Sequence, residues 1–253
     1  MDETNYQIEG NGEVVVLIHG LSDSLDYWLA LSSFLKNNYR VLRYDLRGHG
    51  KTPVGSDEIT VDLYAEDLKN LLDDLNIKKA NLVGFSLGGA IALEFSIKYP
   101  SYVSSMVLMS SYFNASKTKE NFYEQIIQSI DDSYDKFYDY MMPLILCPDV
   151  IGENKEELEI LKQLSVLTAN VEGIKKASIA CSNFDVEDKL NEIDIPTLIL
   201  AGRYDEIYPV EIQKELNSKI KNSELIIIDN VKHNLLVGKN IKKISVILSD
   251  FFK

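Results

Sequence analysis

The sequence is poor in basic residues. Its 253 residues include 26 Lys and Arg against 39 Asp and Glu, so the formal net charge is −13 at pH 7. Nucleic acids and anionic membrane surfaces both require a basic face on the protein that binds them. The composition therefore argues against nucleic-acid and membrane partners, and the excess of acid is explained by solubility.

Cysteines are few, and long apolar runs are missing. Cys147 and Cys181 are too few for a disulfide framework and lack the spacing of metal ligands. No apolar run reaches the roughly 18 residues that a membrane span requires. The acidic start MDETNYQIEG has neither the basic nor the apolar region of a signal peptide. We therefore expect a cytoplasmic protein with no metal site.

Short apolar segments alternate with longer helical patterns along most of the chain. The strand-like segments are VVVLIHG (14–20), YRVLRYD (39–45), ANLVGF (80–85), SSMVLMSS (104–111), IPTLILAG (195–202) and SELIIIDN (223–230); the helical patterns include 61–77, 86–100 and 240–252. Uninterrupted apolar strands indicate burial on both faces. Strands that alternate with helices indicate parallel pairing through right-handed crossovers. The sequence predicts an α/β protein with a mostly parallel, doubly wound sheet.

The alternation stops between Tyr112 and about Phe184. This stretch has helical patterns, no convincing strand, and many Tyr, Phe and Met residues. We expect a helical cap at 112–184, inserted after the strand at 104–111, and a core formed by 1–111 and 185–253. The cap should lie over the carboxyl edge of the sheet, where α/β proteins bind ligands.

The composition of the predicted cap suggests the kind of pocket beneath it. Tyr112, Tyr138 and Met141 are its candidates for substrate contact. We find in it no long apolar helix of the kind that an interfacial lipase exposes. We therefore expect about four helices that enclose a mainly apolar pocket for a small substrate.

The segment Gly84-Phe85-Ser86-Leu87-Gly88 matches the pattern G-x-S-x-G at a junction from strand to helix. A sharp turn there brings the two glycine positions close together, so both residues must be small. The serine at the corner is strained and exposed at the edge of the sheet. The amide that follows it opens a helix and can stabilise an oxyanion. Ser86 is therefore a candidate nucleophile, although an ordinary turn serine is the alternative.

A serine hydroxyl needs a base to take its proton, and the chain has only three histidines. His19, His49 and His233 each follow a predicted strand, so all three could lie at the catalytic edge. Chain order favours His233, because the acid should precede it. Asp205 lies just past the strand at 195–202, where a carboxylate could orient an imidazole. Glu206 is its only close competitor.

Five segments, in this order along the chain, resemble the α/β-hydrolase fold family. They are LIHGLSDSLDYW, YRVLRYDLRGHGKT, LVGFSLGGAIALEF, PTLILAGRYDEIYP and VKHNLLV. Together they cover almost the whole chain. Within this family the chain resembles the group with helical caps, which includes carboxylesterases, enol-lactonases, C–C bond hydrolases, cofactor-free haloperoxidases and epoxide hydrolases.

The resemblance implies a role for several residues. Ser86 would be the nucleophile, Asp205 the acid and His233 the base, and the backbone N–H groups of Leu21 and Leu87 would form the oxyanion hole. His19 and Gly20 would shape that hole, and His49 would be structural. The catalytic triad needs no cofactor.

The chain departs from the family pattern at three points. Lys232 precedes the histidine where glycine is usual, and it could perturb the base. The N-terminus is short, so we expect the usual first antiparallel strand to be missing or vestigial. Serine stands at the bend where epoxide hydrolases and dehalogenases carry aspartate, which disfavours both activities.

These observations favour a serine hydrolase that acts on a small ester through an acyl-enzyme. The alternatives are an enol-lactonase, a C–C bond hydrolase, a perhydrolase or haloperoxidase, and a small-molecule receptor with the same triad, because the cap decides among them. GHGKT (48–52) imitates the end of a P-loop, but Asp45 occupies the position of the first glycine. We expect a monomer or homodimer with a small-molecule substrate.

Overall fold

A seven-stranded sheet organises the described part of the chain, residues 4–253, in this computed structural model. Its strands are β1 (Tyr6–Glu9), β2 (Val14–Ile18), β3 (Arg40–Tyr44), β4 (Ala80–Phe85), β5 (Val103–Met109), β6 (Thr197–Gly202) and β7 (Ser223–Ile228). They lie in the order β1-β3-β2-β4-β5-β6-β7. Every neighbouring pair is parallel except β1 and β3. The predicted mostly parallel sheet is confirmed; residues 1–3 of the predicted core lie outside the described residues.

The first antiparallel strand, which the sequence predicted to be missing or vestigial, is present as a short strand of 4 residues. β1 pairs antiparallel with β3 at the edge of the sheet, from Tyr6 opposite Tyr44 to Glu9 opposite Val41. Its side chains are exposed or half-buried. A strand in such a position does not need the uninterrupted apolar run that marks the central strands, so the sequence pattern did not reveal it. An ion pair between Glu9 and Arg43 helps to hold it in place.

The helices are α1 (Leu29–Leu35), α2 (Val61–Asp74), α3 (Leu87–Lys98), α4 (Phe122–Asp132), α5 (Tyr134–Ile145), α6 (Pro148–Glu153), α7 (Lys155–Thr168), α8 (Val171–Ser182), α9 (Val210–Lys219) and α10 (Asn240–Phe251). Thr60 begins α2 with a side-chain cap on the amide of Leu63. None of the described helices is long and apolar enough to cross a membrane.

Alternate residues of each central strand face opposite layers of helices. In β2, Val16 and Ile18 pack into the layer that contains α2 and α3. Val15 and Leu17 pack into the layer that contains α1 and α10. Both faces are covered, which explains the uninterrupted apolar strands. Helix α3 is buried over most of its length, and this fixes the bend that precedes it.

The segment between β5 and β6 holds five α-helices, α4 to α8, where the sequence suggested about four. The chain enters and leaves this insertion side by side, because Asn114 and Asp185 form an isolated antiparallel bridge. The insertion also touches the core at two glycines. A Cβ on Gly173 of α8 would lie 2.1 Å from the carbonyl oxygen of Gly48. Only glycine permits this close approach.

The close approach of Gly173 to Gly48 leads to a prediction about the free energy of unfolding. Gly173→Ala should lower the free energy of unfolding by about 1–3 kcal/mol, because backbone must move to admit the methyl group. The matched control is Gly152→Ala in α6, where a Cβ would meet nothing within 4 Å. That change should be neutral or stabilise by up to about 1 kcal/mol, since alanine favours the helix. Urea unfolding at constant m-value measures the change in the free energy of unfolding for both variants. Equal changes in the two variants would contradict the close contact between Gly173 and Gly48.

Helix α7 contradicts the expectation that the insertion exposes no apolar helix. Ile160 is 59% exposed and Leu167 is 82% exposed, and Leu161, Leu164 and Val166 are exposed beside them. No residue of α7 is buried. The polar residues between these positions interrupt the apolar pattern, so the sequence alone does not display the face.

Candidate active site

Ser86 occupies the sharp bend between β4 and α3. Its backbone has φ 53° and ψ −115°, a strained combination for a residue with a side chain. The bend requires the two glycines of the motif. A Cβ on Gly84 would lie 2.2 Å from the carbonyl oxygen of Gly88, and one on Gly88 would lie 2.0 Å from that of Ile18. The steric explanation of the motif therefore holds in the folded chain.

Leu21 and Leu87 line the same cavity as Ser86, and their backbone amides are the candidate oxyanion donors. Leu87 is the first residue of α3, so its N–H has no acceptor within the helix. Leu21 lies in the loop after β2, where Ser22 adopts a positive φ of 63°. Neither amide donates to another group within residues 4–253. The pair can therefore donate to an oxyanion beside Ser86.

His233 and Asp205 form a buried pair. His233 Nδ1 lies 2.9 Å from Asp205 Oδ2. The other carboxylate oxygen of Asp205 accepts from the amides of Ile207 (2.9 Å) and Tyr208 (3.1 Å). These bonds fix the carboxylate, which in turn fixes the ring orientation and leaves Nε2 of His233 as the available base. The rings of Phe85 and Tyr208 pack against the imidazole at centroid distances of 5.0 Å and 5.4 Å.

Glu206, the competing acid, points elsewhere. It forms an ion pair with Lys232, which also donates to the carbonyl oxygen of Pro143 at 2.8 Å. Hydrogen bonding to Lys232 lowers the pKa of Glu206. Lys232 thus ties the loop of His233 to helix α5 of the insertion. Its charge is engaged by Glu206 rather than directed at the imidazole.

The other two histidines are committed to the loops around the site. His19 Nε2 accepts from the amide of Leu46 at 3.0 Å, and its Nδ1 lies 2.8 Å from the carbonyl oxygen of Gly20. Burial, together with nearby His49, lowers the pKa of His19 to about 3. Burial also lowers the pKa of His49 to about 4. Both rings stay neutral at pH 7, and His19 shapes the loop that carries Leu21.

A cavity between the core and the insertion joins these groups. Ser86 and His233 both line it, although no hydrogen bond connects their side chains within the described residues. In unliganded enzymes such bonds are often long and tighten only with substrate. The cavity has a volume of about 170 Å³, and the surrounding space that includes the part open to solvent is about 900 Å³. We call it the inner cavity.

Two of the three predicted substrate contacts reach the inner cavity. Tyr138 and Met141 line it, but Tyr112 does not. Tyr112 is 1% exposed, and its ring stacks on Tyr208 at a centroid distance of 4.7 Å. It closes the core behind the cavity wall and offers no surface to a substrate.

Sequence reasoning missed several residues of the cavity wall. Asp23, Tyr27 and Asn234 line the inner cavity, and the hydroxyl of Tyr27 lies 3.1 Å from Asn234 Oδ1. The amide of Asn234 also donates to the carbonyl oxygen of Ile145 at the end of α5. The available signal was position: Asn234 follows the candidate base, and Asp23 lies two residues after the candidate oxyanion amide of Leu21.

Other chemistry is less well supported by the cavity. Cys181 also lines it, but burial raises the pKa of its thiol to about 12, so the reactive thiolate is scarce. Within the described residues, no group of three or more His, Cys, Asp or Glu side chains could hold a metal ion. The remaining arrangement is a serine beside two amides, with a histidine oriented by a carboxylate. Such a set can perform acyl transfer.

Comparison with known proteins agrees with this fold. A family model described as alpha/beta hydrolase fold matches residues 13–142. A putative non-heme chloroperoxidase from Synechocystis sp. is 30% identical over 242 residues, covering 90% of this chain and 87% of that protein.

Solved structures resemble the chain over nearly its full length. MGS-M2, an alpha/beta hydrolase enzyme from a Medee basin deep-sea metagenome library, has a TM-score of 0.89 at 27% identity, with 98% of this chain and 94% of that chain covered. A thermophilic esterase from Thermogutta terrifontis has a TM-score of 0.86 at 25% identity, with 99% and 94% covered.

Proposed function

The chain belongs to the alpha/beta-hydrolase fold family, and on this premise we propose that it is a serine hydrolase that cleaves a small carboxylic ester. The observation that carries the proposal is the buried pair of His233 and Asp205, which lies on the same cavity as Ser86. Ser86 acts as the nucleophile, His233 as the base and Asp205 as the residue that orients the base.

The proposed reaction has two halves. Ser86 Oγ attacks the ester carbonyl while His233 Nε2 takes its proton, and the amides of Leu21 and Leu87 hold the oxyanion. The tetrahedral intermediate collapses, and His233 gives the proton to the departing alkoxide, which leaves as the alcohol. Water then attacks the acyl-enzyme, its proton passes to His233 and on to Ser86, and the carboxylic acid is released.

The residues in the walls of the inner cavity favour the proposal of a small, partly apolar substrate. They carry the rings of Phe122, Tyr123, Phe137 and Tyr138 together with Met141, all from the insertion. An acyl chain gains about 0.8 kcal/mol for each CH₂ that it buries against such walls. The gain stops when the chain reaches the wall opposite Ser86.

A prediction on chain length follows. kcat/KM for p-nitrophenyl esters should rise from acetate, peak between butyrate and octanoate, and fall by at least about tenfold at palmitate, because additional methylenes collide with the wall. A maximum at palmitate, or activation by an oil–water interface, would contradict a closed pocket. The second result would instead assign a role to the apolar face of α7.

A second activity deserves a direct assay, because the Synechocystis relative carries the name of a non-heme chloroperoxidase. The same acyl-enzyme would give a peracid if hydrogen peroxide replaced water in the second half of the reaction. Analysis of the products formed from an acetate ester in the presence of hydrogen peroxide distinguishes hydrolysis, which gives acetic acid, from perhydrolysis, which gives peracetic acid. If the protein turned over lactones or vinylogous diketones fast and esters negligibly, the proposed roles of the triad would stand. The proposed esterase activity would then be replaced by lactonase or C–C hydrolase activity.

A further inference from the structure

Asp23 is an acidic residue in the wall of the inner cavity and is not part of the catalytic pair. It lies in the loop after β2, between the candidate oxyanion amide of Leu21 and the start of the helical turn at Leu25. In this loop Ser22 has a positive φ, and a Cβ on Gly20 would lie 2.9 Å from Phe85 Cδ1 and 3.1 Å from Asp23 Oδ2. The backbone N–H of Asp23 donates to the carbonyl oxygen of Gly20 at 3.4 Å, so the position of Asp23 is tied to the end of β2.

The carboxyl lies where two cavities adjoin. The inner cavity and a second, more open cavity share Ser22, Asp23, Tyr27, Tyr134 and Ser165 in their walls. A ligand that extends from Ser86 toward this second opening passes Asp23. Within the described lining of the inner cavity there is no lysine or arginine that could neutralise the carboxylate.

The surroundings of Asp23 are unfavourable for an unpaired negative charge. Burial raises its pKa to about 7, although His233 and the amide of Gly20 oppose the shift. Burial raises the pKa values of Tyr27 and Tyr134, and the negative charge of Asp23 raises both further. An anion here also repels the oxyanion that forms at Leu21 and Leu87. A bound cation would relieve both penalties.

We propose that Asp23 forms a subsite for an ammonium group, so that the preferred ester substrate carries a protonated amine; this rests on the proposed function. The ammonium donates to the Asp23 carboxylate while the ester carbonyl lies at Ser86. The rings of Tyr27 and Tyr134 line the same passage and can add the attraction of aromatic rings for a cation. The net charge of −13 also attracts cations to the protein at long range.

Two esters of matched shape test the subsite. In 3-(dimethylamino)propyl acetate the protonated nitrogen replaces the branching carbon of 4-methylpentyl acetate. The measured quantity is the ratio of kcat/KM for the cationic ester to that for the neutral ester, at pH 6 and pH 8. The titration of His233 acts on both esters and cancels in the ratio.

In the wild type we expect a ratio above one that rises from pH 6 to pH 8. An acid with a pKa of about 7 is mostly neutral at pH 6 and mostly ionised at pH 8. Asp23→Asn should lower the ratio at pH 8 about tenfold, the value of one hydrogen bond to a charged group, and should abolish its pH dependence. Besides His233, Tyr27 and Tyr134, the titratable and charged groups around the passage are Asp26, Asp45, His49 and Lys51.

Asp188→Asn is the matched control. This aspartate is exposed and lines neither the inner cavity nor the second cavity. It removes the same charge from the chain, so it should change the ratio by less than about twofold. An equal fall in both variants would mean that the general field, and not Asp23, attracts the cation.

Three other results would overturn the subsite. A ratio at or below one in the wild type would do so, and so would a ratio that Asp23→Asn leaves unchanged, while the esterase proposal would stand in both cases. If the wild type hydrolyses neither ester and Ser86 resists acylating probes, the proposed function fails and the subsite fails with it.

Discussion

Replacing Ser86 with alanine is expected to lower kcat for ester hydrolysis by about 10⁶-fold, the loss that follows removal of the nucleophile in a serine protease. The change deletes one oxygen at a bend whose shape is set by Gly84 and Gly88. The fold and the cavity walls should therefore persist, and substrate binding with them. Steady-state kinetics on p-nitrophenyl butyrate, together with a urea unfolding curve, measures both effects.

The matched control for this prediction is Ser165→Ala. Ser165 of α7 is another serine in the wall of the inner cavity, but neither a strained bend nor an unpaired helix amide accompanies it. Its removal should change kcat by less than about threefold. If Ser86→Ala kept full activity and Ser165→Ala lost it, the nucleophile would lie in the insertion. The proposal that the serine at the bend between β4 and α3 is the nucleophile would then be wrong.

Replacing Asp205 with asparagine is expected to lower kcat by about 10⁴-fold, as the same change does in the serine-protease triad. Asparagine keeps the shape of the side chain, but its amide can donate to His233 Nδ1 and stabilise the wrong tautomer. It would also lack the negative charge that stabilises the imidazolium during attack. The expected signature is a fall in kcat with little change in KM.

Glu206→Gln distinguishes this role from a general effect of charge near the histidine. Glu206 is adjacent in sequence, but it pairs with Lys232 rather than with His233. Its replacement should lower kcat by less than about threefold. If Glu206→Gln were the damaging variant and Asp205→Asn retained activity, the acid would be Glu206.

The sheet was predictable because its central strands are buried on both faces. An uninterrupted run such as VVVLI needs no information from elsewhere in the chain. Strand β1 was not predictable in this way, because its residues are exposed or half-buried and it depends on pairing with β3 and on the ion pair of Glu9 with Arg43. That contact is distant in sequence, so no local pattern reports it.

The positions of Ser86, Asp205 and His233 were predictable from topology. Each follows a parallel strand, and the carboxyl ends of parallel strands meet at one edge of the sheet. The structure brings all three to that edge, with the pair of Asp205 and His233 in contact. Which of Asp205 and Glu206 faces the imidazole depends on the backbone after β6, which the sequence does not reveal.

The cavity wall was less predictable. Tyr112 follows β5 directly, but its ring turns into the core and stacks on Tyr208. Asp23 lies in the cavity wall directly after Ser22, which adopts a positive φ. A serine in the sequence does not predict that backbone conformation. The lining of the insertion depends on how its helices pack, and this is a property of tertiary contacts.

Labelling with a fluorophosphonate tests the central claim most directly, because the probe reacts only with an activated serine and its adduct can be located. The expected result is one adduct per chain, placed on Ser86 by tandem mass spectrometry. Labelling should be abolished in Ser86→Ala and strongly slowed in Asp205→Asn. An adduct on any other serine, or undiminished labelling of the Ser86→Ala protein, would contradict a nucleophile at the bend between β4 and α3.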